Sequence, residues 1–430
     1  MKKEIRELMD FLDASKSVYH AIDQLCQLLD RNGYTHLDSG DDWDLVPGGK
    51  YYVTRHGASL IAFRIPHARP KGFMMSASHS DRPTFKVKEN GELENKYIRL
   101  ATERYGGMIM STWMDRPLSV AGRVMVETPR GVQMKLVDID QDLMVIPSVA
   151  IHMNRSVNDG YKWNPATDTI PMLGDLDVKG DFAKIIAQLG GGSIVSHDLF
   201  LYLRQKATVW GLEQEFISAQ SLDDLQCAWG CCQGFLKSQE SESIPVFCCF
   251  DSEEVGSRSI SGADSTFLSG TLLRIAQCIG IDVARLLSNS FMVSADNAHA
   301  IHPNHPELAD PNNAPVVNGG IVVKFNSNQK YTTDAVSAAV IRTVCDRAGV
   351  PTQTYYNRPD IAGGSTLGYV SMTHVSVPTA DVGLAQLAMH SCYETAGVYD
   401  SDYLEKAMVE YFSSSMVVTA DGEFILTKQN

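Results

Sequence analysis

Positive charge is scarce in this sequence: 37 Lys and Arg stand against 51 Asp and Glu, for a formal net charge of −14. No basic surplus exists to neutralise phosphates, which excludes nucleic acid and anionic membrane surfaces as partners. Long apolar runs are missing too. None reaches the ~20 residues that a bilayer-spanning helix needs. Met1 to Ser15 is charged and helix-patterned, without an apolar core of signal-peptide length. The 9 cysteines are an odd number, and no paired CxxC zinc motif holds them. Cys248, Cys249 and Cys278 sit in apolar runs, while Cys227 and Cys231 lie four apart on a predicted helix. They read as reduced core thiols of a cytoplasmic protein. Also absent are the G-x-S-x-G nucleophile elbow and the phosphate-cradling Gly-Lys loop. Ser257 follows Gly256 but has no evident base. Neither an internal repeat nor a low-complexity tract occurs.

What is present has the composition of a globular protein, 44% hydrophobic and 20% charged over 430 residues. That length implies two domains, or one with a large insertion. The informative stretch runs from Ile244 to Ser257. Ile244-Pro245-Val246-Phe247-Cys248-Cys249-Phe250 is an apolar run of strand length that stops at Asp251, Glu253 and Glu254, then Gly256. A run apolar on both alternating faces suits a buried strand of a parallel sheet. Ligands of open α/β sheets bind at the carboxyl ends of such strands. The pattern occurs twice more. Gly72 to Ala77 runs into Ser78-His79-Ser80-Asp81, and Phe291 to Ala295 runs into Asp296-Asn297-Ala298-His299. Together the three strand ends resemble a metal site assembled from separate segments.

Residues 2–31 carry two helical stripes, with Ser15 or Ser17 as the cap between them. From about Lys88 to about Thr208, short alternating segments separated by turn residues predict a small β-rich domain. Gly190-Gly191-Gly192-Ser193 reads as a flexible loop inside it. Afterwards α/β texture returns, with helices predicted over Leu222–Leu236, Thr266–Gly280 and Asp334–Ala348. The second of these is placed as a βαβ crossover to the Asp296 strand. A closing helix carries Leu404, Ala407, Met408, Tyr411 and Phe412. The expected architecture is α/β: a mostly parallel-sheet metallopeptidase domain over 1–88 and 208–430, with an inserted β-rich oligomerisation domain over 89–207.

Each candidate residue also has a plainer explanation. His79 beside Asp81 is a metal ligand with its orienting carboxylate, or a surface histidine near an aspartate. Glu253 and Glu254 cannot point the same way from extended backbone, so one can bind metal while the other faces substrate as a base; the alternative is a solvated acidic loop. Asp223 and Asp224 precede a helix, as a cap or as a carboxylate bridging two metals. His299, His302 and His305 lie three apart, but Pro303 and Pro306 break any helix, which assigns them loop or outer-shell roles. His390 sits near a predicted helix start, as a partly buried core histidine or a ligand. A mixed His/Asp/Glu set suits zinc, with manganese or cobalt as competitors.

Taken together, these motifs resemble the aspartyl aminopeptidase family of dinuclear-metal exopeptidases over almost the whole chain. The resemblance lies in His79-Ser80-Asp81-Arg82-Pro83, Ser221-Leu222-Asp223, Asp251 to Ser257, Asp296-Asn297-Ala298-His299-Ala300 and Ala388-Met389-His390-Ser391, and in Ser111 to Ser119 of the insertion. It implies one metal on His79 and Asp296, a second on Glu254 and His390, and Asp223 bridging them. It further implies Glu253 as general base, Asp81 as the group orienting His79, and attack on the peptide by a water between the metals. Peptides with N-terminal Asp or Glu are the implied substrates. Lys324 matches a substrate-contacting position, and His152 one that reaches a neighbouring subunit's active site in a homo-oligomer, a dodecamer built from dimers. The sequence departs from the family pattern at Arg82 and at Thr84-Phe85, close to a ligand, which bears on substrate preference. A two-metal amidohydrolase acting on N-acyl amino acids and a non-catalytic assembly protein are the competing readings.

Overall fold

The computed structural model describes residues 3–428; position 2 of the first predicted stretch lies outside them. Its frame is a nine-stranded sheet. In chain order the strands are Thr35–His36 (β1), Lys50–Arg55 (β2), Ser59–Arg64 (β3), Phe73–His79 (β4), Ile244–Phe250 (β5), Phe291–Ala295 (β6), Ile321–Phe325 (β7), Thr352–Tyr356 (β8) and Thr379–Gly383 (β9). In space they run β1-β2-β3-β5-β4-β6-β9-β7-β8. The central four, β5, β4, β6 and β9, are parallel neighbours. Antiparallel joins lie to either side, at β2–β3, β3–β5 and β9–β7.

The central strands are apolar on both faces because both faces are covered. Phe247 and Cys249 of β5 pack towards the helices Leu222–Lys237 and Val398–Phe412. Val246 and Cys248 pack the opposite way, against helix Phe267–Cys278. That helix is the crossover from β5 to β6, and β4 lies between the strands it joins. The N-terminal helices are Lys3–Ala14 and Val18–Arg31. Ser17 caps the second by accepting the His20 N–H, while the Ser15 hydroxyl donates back to the Phe11 carbonyl. Asp334 and Ser337 form a capping box at helix Ala335–Ala348. Among the described residues, no helix is long and apolar enough to cross a membrane.

A six-stranded antiparallel sheet is built wholly from residues 84–203. It also carries a helix, Asp181–Gly190, that the sequence reading did not foresee. The Gly190-Gly191-Gly192 run is the end of this helix rather than a flexible loop. Gly191 adopts φ +74 and returns its N–H to the Ala187 and Gln188 carbonyls, a left-handed C-cap that suits glycine. All nine cysteines are free. Cys278 is exposed rather than a core thiol, because its helix buries the stripe through Leu268, Leu272 and Ile275 instead.

Candidate metal and catalytic site

Because β4, β5 and β6 are parallel neighbours, their carboxyl ends lie at one sheet edge. His79 closes β4, Asp251, Glu253 and Glu254 follow β5, and Asp296 follows β6. Asp223 enters from the start of helix Leu222–Lys237. His390 enters from the turn before strand Glu394–Gly397, not from a helix start; the next helix begins only at Val398. Asp223 and Asp224 are not caps. Their backbones are non-helical, and the Asp223 carboxylate faces two histidines instead of the helix end. His79 Nε2 stands 3.3 Å from Asp223 Oδ1, and His390 Nε2 stands 3.4 Å from both Asp223 Oδ2 and Glu254 Oε2.

The electrostatics of this cluster call for a cation. Buried carboxylates cost several kcal/mol each unless paired. Yet Asp224 Oδ1 and Glu254 Oε1 are buried without a hydrogen-bond partner, and Asp223 Oδ1 has only the His79 ring at 3.3 Å. Burial pushes the Glu253 carboxyl up to about 8 and raises Glu254 well above its ordinary value. Burial acts on Asp223 the same way, but its contacts with His390 and His79 outweigh it and hold this carboxyl low. Ligand atoms of His79, Asp223 and Glu254 all lie within 4.8 Å of one another, and so do those of Asp223, Asp224 and Asp296. Asp223 belongs to both groups. The donor set, imidazole with carboxylates, fits a divalent metal such as zinc.

The surrounding contacts orient these groups. His79 Nδ1 lies 3.1 Å from the Asp81 carbonyl and 3.5 Å from Asp81 Oδ1. The Asp81 carboxylate also accepts the N–H groups of Glu253 and Glu254, at 3.1 and 3.2 Å, and the Tyr105 hydroxyl at 2.7 Å. Lys324 is buried, and its Nζ donates to the carbonyls of Asp296 and Asn297, at 2.6 and 3.2 Å. Glu253, Lys324 and His299 line the cavity beside the cluster. His302 and His305 are exposed loop residues. His152 is exposed on a turn of the inserted region and is not in this cavity wall. Arg82 turns away from the cavity; its guanidinium donates to the Ser15 carbonyl and the Ser221 hydroxyl. Thr84 and Phe85 pack within the inserted sheet. None of these three departures from the family pattern therefore lines the cavity. The sequence reading missed Glu394, whose buried carboxylate accepts the N–H groups of Asp223 and His390. It also missed Tyr105. A lone glutamate or tyrosine in a strand carries no local signal of such a role.

A model of the family described as Aminopeptidase I zinc metalloprotease (M18) matches residues 11–412. The chain belongs to the M18 family. Similar M18 proteins include a "Probable M18 family aminopeptidase 2" of Clostridium acetobutylicum, 43% identical over 432 residues, covering 96% of this chain and 100% of the relative. Another with the same description, from Ectopseudomonas mendocina, is 39% identical and covers 96% and 99%. Among solved structures, the Ape4 and Nbr1 complex matches with a TM-score of 0.91 and 34% identity, over 95% of this chain and 85% of that one. A yeast mApe1 dodecamer matches at 0.84 and 26%, over 95% and 96%. As an M18 member the chain is a zinc metallo-aminopeptidase, a hydrolase. This decides against the amidohydrolase and the non-catalytic readings.

Proposed function

We propose that this M18 aminopeptidase removes N-terminal Asp and Glu from peptides at a site holding two divalent metals. The observation that carries the reading is the membership of Asp223 in both groups of converging ligand atoms. In this reading, whose pairing comes from the family resemblance, His79 and Asp296 would hold one ion, Glu254 and His390 the other, and Asp223 would serve both; the converging atoms themselves group His79 with Glu254 and Asp296 with Asp224. Zinc bound there, or manganese or cobalt in its place, supplies Lewis acidity towards the scissile carbonyl and lowers the pKa of water. Glu253 stands in the cavity wall outside both ligand groups. Without metal, burial raises its carboxyl to about 8; beside bound cations it would be ionised, and could then take a proton from the attacking water and give it to the departing amine. Asp81 holds the outer nitrogen of His79, which presents Nε2 to the cavity. Lys324 contributes the substrate-binding cation of the cavity wall. Two of its three N–H donors go to backbone carbonyls, and its charge favours an acidic N-terminal residue.

The same reading makes residues 89–207 an oligomerisation domain and the working form a homo-oligomer, a dodecamer like the yeast relative's. His152 would then reach a neighbour's cavity and stabilise charge on the substrate carbonyl oxygen. Its surroundings support this: Ile151 and Met153 beside it are 48% and 79% exposed, as apolar groups awaiting a partner would be. Nine free thiols support a reducing, cytoplasmic location.

The test is a panel of aminoacyl p-nitroanilides with and without chelator. Fastest turnover of the Asp and Glu substrates, abolished by chelation and restored by metal, is expected. Faster cleavage of the Leu or Ala substrate would refute the specificity.

A further inference from the structure

The inserted sheet reaches the ligand cluster through the end of strand Ile98–Tyr105 and the chain that follows it, up to the turn Met110–Trp113. Tyr105 donates its hydroxyl to Asp81 Oδ2 at 2.7 Å. Gly106 has φ +76, and a Cβ there would stand 3.1 Å from Glu254 Cβ and 3.3 Å from Pro83 Cα. Only glycine lets the chain pass so close in this conformation. The Gly107 carbonyl lies 2.6 Å from His390 Nδ1. Ile109 N–H donates to the His390 carbonyl at 3.0 Å, and Thr112 Oγ1 accepts the Cys392 N–H at 3.0 Å.

One stretch of the insertion, 105–112, thus holds the outer nitrogens of both histidines. It grips His390 Nδ1 directly, and reaches His79 Nδ1 through the Asp81 carboxylate, whose Oδ1 stands 3.5 Å from that nitrogen beside the nearer Asp81 carbonyl at 3.1 Å. The two Nε2 atoms are left facing Asp223. We propose that this stretch is a clasp fixing the metal-ligand geometry from the inserted sheet, with Tyr105 as the positioning residue for His79. The inference rests on the ligand assignment above. Tyr105 is itself well anchored. Its Cα pairs with Thr84 across the sheet, and its ring meets Phe200 edge-on at 5.6 Å. It is not in the cavity wall, so its effect passes through Asp81 rather than through substrate. Removing the hydroxyl leaves the Asp81 carboxylate with only its backbone donors on that side. The His79 ring is then held less firmly, and metal binding weakens. Loss of such an outer partner typically costs about 10–100-fold in metal affinity.

The test measures zinc affinity of the full-length chain by competition with a chromophoric chelator, for the wild type, Tyr105→Phe, Thr112→Val and the control Tyr97→Phe. Tyr97 is 52% exposed in the turn just before strand Ile98–Tyr105, at the opposite end of that strand from Tyr105. Tyr105→Phe is expected to weaken zinc binding by about 10–100-fold and to lower kcat with KM unchanged. Thr112→Val should weaken binding less, and Tyr97→Phe should match the wild type. Metal-free melting temperatures should stay together, since the Phe ring keeps its place against Phe200. Zinc affinity of Tyr105→Phe within about twofold of wild type would overturn the clasp alone, as would an equal loss in Tyr97→Phe. If Tyr105→Phe does not fold, Thr112→Val decides: unchanged affinity there overturns the clasp. A wild-type chain that retains no zinc would overturn the ligand assignment and the clasp with it.

Discussion

The Glu394 carboxylate accepts the backbone N–H of Asp223 at 3.0 Å through Oε2. Its Oε1 takes the N–H of His390 at 2.8 Å. One buried side chain therefore locks together two segments of the candidate site that are 167 positions apart in sequence, 390 minus 223. Glu394→Ala should destabilise the fold, because each buried N–H left without an acceptor costs about 1–3 kcal/mol. Glu394→Gln keeps one acceptor oxygen and should lose less. Chemical denaturation of the metal-free chain checks this order; an alanine variant as stable as wild type would contradict it.

Metal binding should release protons. Burial pushes Glu253 and Glu394 up to about 8 and Glu254 upward as well. Burial alone would lower His79 and His390, but their contacts with Asp223 outweigh it and raise both. Groups with raised values hold protons more readily than free ones do, and a cation bound by Glu254, His79 and His390 displaces the protons on them. Zinc titration calorimetry in two buffers of different ionisation heat should give roughly two or more protons released per chain. The raised values also set a pH dependence. The glutamates favour the metal-free fold fully below their ordinary 4.5, and that contribution is lost as pH rises towards about 8. The histidines act in the same direction. The metal-loaded chain should lack this decline. Calorimetry showing no proton release would refute the picture.

The strand ends were legible in the sequence because a doubly covered strand leaves an uninterrupted apolar run. Such a run ending in His, Asp or Glu points to one sheet edge, where the structure brings His79, Glu254 and Asp296 together with Asp223. Other features were set by tertiary structure. His390 occupies a turn with φ +66 before a strand, which its neighbours Met389 and Ser391 do not announce. Helix Asp181–Gly190 was hidden because its buried stripe is short, Phe182, Ile186 and Gly190, and lies amid strand patterns. The family resemblance implied that Lys324 contacts substrate. The structure adds that its ammonium group is tied to the carbonyls of Asp296 and Asn297, which local sequence could not reveal.

The proposal that His152 serves a neighbouring subunit's site predicts complementation. His152→Ala and Glu253→Gln are each expected to be inactive as homo-oligomers. Dissociated, mixed and reassembled, they should recover activity, because a hybrid can contain a site with both residues intact. No recovery in well-formed hybrids, or a fully active isolated monomer, would rule out a role for His152 in trans.

The assignment of separate roles to adjacent glutamates is the centre of the account, and Glu253→Gln tests it most directly. Elemental analysis and steady-state kinetics are run on the same preparation. The amide cannot accept the proton from water, while Glu254 and the other ligands are untouched. The variant should carry two metals per chain, as the wild type should, with kcat lowered by about 10²–10⁴-fold. Near-normal kcat would contradict the base assignment, and loss of metal from the variant would place Glu253 among the ligands instead.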